Sequence, residues 1–191
     1  MDKTDKTLGD RIVYRGRLPL MWTSAQAEPT QADLATMNET NATLLKVFLA
    51  LDEMPTESAD GNSELQQAYF RLDAKLNLLL DLIGEMLTRQ KALPAVHDFA
   101  LSELGLVWFE KNAQTRPAEG GENAYVELYL KPDFPRPVRF FTRLGIKAAS
   151  DQGVQLAGRF SGMSEEVRDA LAKLIFRQHR RMVANRHGTD S

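Results

Sequence analysis

The middle of this chain follows a different period from its two ends, and that switch limits what it can fold into. Between Pro29 and Pro94 the apolar residues recur with helical spacing. Leu34, Met37, Asn41, Leu44, Phe48 and Leu51 step by three, four, three, four and three, a heptad seam with one polar position. Leu65, Tyr69, Leu72, Leu76, Leu79, Ile83 and Met86 alternate steps of four and three. Asp60-Gly61-Asn62 marks a turn between the two stretches, and Ser63 with Gln66 forms a capping box for the second. The segment therefore reads as two long helices in an antiparallel hairpin over residues 29–94.

On both sides of the hairpin the period is two. Ile12 and Tyr14 alternate with Val13 and Arg15; Gly16 marks a bend or bulge, and Leu18, Leu20 and Trp22 follow. Pro19, which cannot donate to a ladder, suggests an edge or a break. From Val96 onward, strand patterns run through Leu104–Trp108, Tyr125–Leu130, Val138–Ile146 and Val154–Phe160, separated by Gly, Pro and Asp turns. Trp22 and Trp108 fall within strand patterns and read as core. A last helix opens at Ser164 as N-cap, with Glu165 and Glu166 in its first turn and Val167, Leu171, Leu174 and Ile175 on one face. The expected fold is α+β: a small antiparallel β-barrel from residues 8–25 and 96–184, with the hairpin inserted, a C-terminal helix, and flexible termini at 1–7 and 185–191.

A hairpin must bury its stripe, either on its own barrel or against other hairpins. Leu78, Leu80, Leu82 and Leu87 lie off the seam and widen the apolar surface. Burying one such side chain is worth about 1.5–3 kcal/mol. A small barrel offers little surface to cover so long a stripe, so the seam residues are expected to hold several chains together as a helical bundle. The mixed types at Leu34, Phe48, Tyr69, Leu76 and Ile83 point to four strands or more rather than a parallel dimer. Asn41 would fix register in that seam.

Chemistry-bearing motifs are sparse. The 191 residues contain no cysteine, so there are no disulfides or thiolate nucleophiles, and the three histidines are too scattered for a metal site. No phosphate-cradling loop or serine-nucleophile motif is present, and His97 beside Asp98 reads as a strand-edge histidine. Neither an enzyme nor a bound cofactor is expected. A formal net charge of −2 gives no overall attraction to nucleic acid. Arg177, Arg180, Arg181 and Arg186 read first as a solvated helix end that suits the dipole, and second as a surface for an acidic partner. The polar N-terminus and the lack of an apolar run of roughly 18–20 residues make a cytoplasmic protein without membrane insertion the expectation.

Two spaced clusters carry a resemblance. Arg11-Ile-Val-Tyr-Arg15 has the spacing Arg-x-x-x-Arg, and Ser102-Glu-Leu-Gly105 has the spacing Ser-x-x-Gly. With Gly153–Phe160 and the helix that follows, these stretches resemble the PilZ domain, a six-stranded barrel whose better-known members bind the second messenger cyclic di-GMP. The helical insertion resembles the atypical, tetramer-forming branch of that family. The resemblance implies a signalling protein, a homotetramer, and unknown signalling or motility proteins as partners. It also implies a ligand site at Arg11, Arg15, Ser102 and Gly105, where guanidinium groups would grip phosphate and stack on guanine. The family has Asp or Asn two residues before the serine; here that residue is Ala100, and Asp98 lies about 7 Å further along a strand. The incomplete motif predicts weak or absent nucleotide binding; the alternatives are a functional receptor and a pure interaction scaffold.

Overall fold

A computed structural model describes residues 7–9, 11–51, 72, 76, 93–111, 116–118, 120–131, 134 and 136–187. Six strands close into a ring: β1 (Tyr14–Ser24), β2 (Val96–Leu101), β3 (Gly105–Glu110), β4 (Glu122–Leu128), β5 (Val138–Ser150) and β6 (Gly153–Phe160). The order around the barrel is β1-β2-β3-β6-β5-β4, antiparallel throughout. Helix α1 (Gln31–Leu51) follows β1, and helix α2 (Glu165–His187) follows β6.

Alternation decides which side chains enter the barrel. Leu18 and Leu20, Leu106 and Trp108, Val126 and Leu128, and Val154 and Leu156 are buried at alternate positions. Trp108 lies in this core and Trp22 packs against it. The bulge expected at Gly16 is absent: β1 pairs with β2 in unbroken register from Tyr14 to Pro19. Gly16 lies beside the Phe99 ring instead, where an added Cβ would be 3.4 Å from Cε1. The irregularity lies in β5, between Ile146 and Ala148. Pro19 marks the place where β1 changes partner, since residues 14–19 pair with β2 and residues 20–24 with β4. Its missing N–H therefore falls between two ladders.

Helix α1 starts at a reciprocal cap. The Asp33 amide donates to Thr30 Oγ1 at 3.2 Å, while the Thr30 amide and hydroxyl donate to Asp33 Oδ2 at 3.0 and 2.7 Å. Those two bonds, the hydroxyl's first, hold the Asp33 carboxyl below its ordinary pKa. Helix α2 starts where expected, with Val167 N–H donating to Ser164 Oγ at 3.3 Å.

Two seam residues of α1 do not face another chain. Leu44 and Phe48 are buried with Leu45 in the same core as the barrel interior and the apolar face of α2. Phe48 also meets Phe134 edge-on, with ring centroids 5.8 Å apart. Heptad spacing reports that one face is covered but not by what, and here the chain's own barrel covers it. Asn41 likewise serves the barrel rather than an inter-chain register, because both of its amide atoms bond to the backbone of Arg139. Leu34 and Met37 are half-buried, and Leu34 rests against Gly162. Leu51, Leu72 and Leu76 are exposed, the last two at 64% and 54%. The turn at 60–62, the cap at Ser63, and Leu65, Tyr69, Leu79, Ile83 and Met86 lie outside the described residues.

Candidate functional site

The motif residues gather where β1, β2 and β3 meet on the outside of the barrel. Arg15 is paired with Ala100 across β1 and β2, and its side chain is exposed. Ser102 and Gly105 bound the turn that joins β2 to β3: the Ser102 amide donates to the Gly105 carbonyl at 2.9 Å. Arg11 precedes β1, and its Nε lies 3.3 Å from Glu103 Oε1 in that same turn. The sequence spacing thus corresponds to one location in the fold.

What these residues do there is largely structural. Ser102 is fully buried, and its Oγ accepts from the Leu104 amide at 3.2 Å. A Cβ on Gly105 would lie 2.5 Å from the Gly158 carbonyl oxygen and about 3 Å from Thr7. The glycine is needed for close backbone approach, but the approaching groups belong to β6 and to the N-terminal segment. Asp98 lies 3.7 Å from Arg17 and does not replace the missing acceptor at position 100.

The sequence reading missed the covering of this face. Leu8, an isolated apolar residue in a polar terminus, is only 4% exposed. It forms a small second core with Ala100 and Val107, with Val13 and Ala157 at its margin. Ala100, Val107 and Ala157 are register partners on β2, β3 and β6. Residues 7–9 therefore lie on the outside of the barrel where β2, β3 and β6 adjoin. A lone leucine among charged residues carries no periodicity, so only the fold reveals its seat.

Beyond that segment, a groove of about 580 Å³ lies over β5 and β6, lined by Thr7, Gly120, Gly121, Arg143, Gly145, Lys147 and Ala157 among others. Arg143 is paired directly with Arg159 across β5 and β6, and both are exposed. Like charges in that relation repel, so the pair is a local cost that places two guanidinium groups side by side on this face. The other singled-out residues lie elsewhere. His97 Nδ1 lies 3.0 Å from the Phe109 carbonyl oxygen and 3.9 Å from Glu110 Oε2. Arg177 donates to the Leu49 carbonyl at 2.8 Å, which ties α2 to α1, and Arg180 lies over the Phe176 ring at 5.9 Å. Among the described residues no group of three or more His, Cys, Asp or Glu side chains could hold a metal ion. No described helix is long and apolar enough to cross a membrane.

A closed six-stranded antiparallel barrel with a C-terminal helix packed on its core is the fold that the resemblance implies. The profile described as "atypical PilZ domain, cyclic di-GMP receptor" matches residues 44–187, more than half of the chain, and the protein belongs to that family. The match begins within α1, so Arg11 and Arg15 lie outside it. No curated protein matches the chain. Among solved structures it is similar to a pathogenic protein from Xanthomonas campestris, described as a new tetrameric PilZ domain self-assembled via an unusual helical bundle. The TM-score is 0.70 at 26% sequence identity, covering 92% of this chain and 91% of that one.

Proposed function

We infer that this is a non-enzymatic PilZ-type signalling protein of the cyclic di-GMP system that self-assembles through its helical insertion and binds nucleotide weakly or not at all. The observation that carries the reading is the state of Ala100. It occupies the motif's acid or amide position, offers no side-chain acceptor to a guanine edge, and is buried against Leu8. Ser102 and Gly105 are used in closing their own turn. Self-assembly is supported by the exposed Leu72 and Leu76 and by the described helical-bundle tetramer of the Xanthomonas campestris protein.

A functional receptor is the second reading, and one observation favours it: exposed Arg15, Arg143 and Arg159 surround the covered face, next to a groove of nucleotide size. Calorimetric titration of cyclic di-GMP into the purified protein separates the two. The first reading expects no saturable heat, or a dissociation constant well above the micromolar range; micromolar or tighter binding would establish the second.

A further inference from the structure

We propose that the N-terminal segment is a strap that competes with ligand for the outer face of β2, β3 and β6, held in place by Leu8 and by the Arg11–Glu103 ion pair. The proposal deepens the functional reading above and rests on the assignment to the cyclic di-GMP family. Four observations carry it. Leu8 is buried on Ala100 and Val107, two outward-facing positions that would otherwise meet solvent. Thr7 comes so close to Gly105 that any side chain at that motif position would press on it. Arg11, the first motif arginine, already holds a carboxylate, that of Glu103 at 3.3 Å, where a phosphate would have to compete for it. Ala157 borders both the Leu8 seat and the neighbouring groove, whose wall includes Thr7.

The consequence is geometric. With the strap seated, the groove ends at Thr7 and the motif face lies beneath Leu8. With the strap released, the groove and the Leu8 seat join through Ala157 into one surface bordered by Arg15, Arg143 and Arg159. A cyclic dinucleotide has flat bases to lay on Ala100, Val107 and Ala157 and two phosphates for the arginines, so it can replace an apolar strap on such a surface. The observed affinity is then the intrinsic affinity reduced by the fraction of molecules with the strap released. Replacing Leu8 by a charged residue removes the contact that favours the seated state.

The test uses the full chain and cyclic di-GMP itself. The absence of native cysteine lets Val107→Cys report release through its rate of maleimide labelling. Leu8→Asp is expected to speed that labelling and to tighten nucleotide binding by about ten-fold or more, with the strand signal in circular dichroism unchanged. Faster labelling with equal, measurable affinity in both proteins overturns the competition and leaves a receptor whose site lies elsewhere. Faster labelling with no binding in either protein overturns the competition and the receptor reading together. Unchanged labelling means that Leu8 does not hold the segment and overturns the strap. If Leu8→Asp does not fold, Leu8→Cys with Ala100→Cys provides the converse: oxidation locks the strap and must lower affinity, and reduction must restore it. Equal affinity in the two redox states overturns the proposal.

Discussion

Asn41 on α1 and Arg139 on β5 are joined by two hydrogen bonds: Asn41 Nδ2 donates to the Arg139 carbonyl at 2.6 Å, and the Arg139 amide donates to Asn41 Oδ1 at 3.0 Å. β6 pairs with β5 only from Thr142 onward, so Arg139 lies beyond the end of that ladder. The buried side-chain amide takes the place of one more strand residue. One turn earlier, Asn38 makes a parallel attachment, donating to the Gly162 carbonyl at 2.9 Å and accepting from the Ser164 amide at 3.1 Å.

Asn41→Ala should therefore cost about 1–3 kcal/mol of stability, because it leaves a buried N–H and C=O without partners. Asn41→Asp should be at least as costly, since a carboxylate oxygen would face the Arg139 carbonyl where an N–H donor stood. Urea denaturation should show a lower midpoint with an unchanged slope.

Gly105→Ala should act on the fold before it acts on any ligand. The added methyl would lie 2.5 Å from the Gly158 carbonyl oxygen, which is backbone and cannot swing aside. Overpacking of this kind costs about 1–3 kcal/mol. A loss of nucleotide binding with the melting temperature unchanged would contradict this structural role.

The cap at Asp33 gives a pH dependence with a definite sign. Its folded-state pKa lies below the ordinary value of an aspartate, so between the two values the unfolded chain binds more protons. The contribution is fully present above the unfolded value and disappears as pH falls through the folded one. Asp33→Asn should flatten the stability profile in that acid window and leave the profile near neutrality parallel to the wild type. Denaturant midpoints measured across acid pH would show it.

If the chain self-assembles as proposed, Leu72→Asp combined with Leu76→Asp should lower its oligomeric mass while the strand signal persists. Both residues are exposed on the single chain and contribute nothing to the barrel core. Light scattering should report a smaller mass for the variant than for the wild type. A wild-type protein that stays monomeric at high concentration would remove the basis of the self-assembly reading.

Strand periodicity made most of the barrel legible, because alternation along Leu106–Trp108 or Val126–Leu128 has a single physical cause: one face in the core and one outside. Helical periodicity was less informative. The spacing that includes Leu44 and Phe48 is satisfied equally by a partner chain and by a barrel, and the deciding contact with Phe134 lies far along the sequence. The motif shows the same limit. Its spacing located Arg15, Ser102 and Gly105 near one turn, yet their roles depend on Leu8, Glu103 and Gly158, which no local pattern singles out.

The chain that returns to β2 meets β1 at its middle, not at the end from which it left. Pro19 is paired with Val96, and the Leu20 amide donates to the Ala95 carbonyl at 3.2 Å. The β1–β2 ladder thus ties the returning chain to the barrel whatever the number of residues between the two strands. Each doubling of such an excursion adds only about 0.6 kcal/mol of closure cost. The return of the chain is thus fixed by β1, while α1 stays bound to the same core through Leu44, Leu45 and Phe48, so a change in the number of residues between Leu51 and Val96 falls outside the β-ladder.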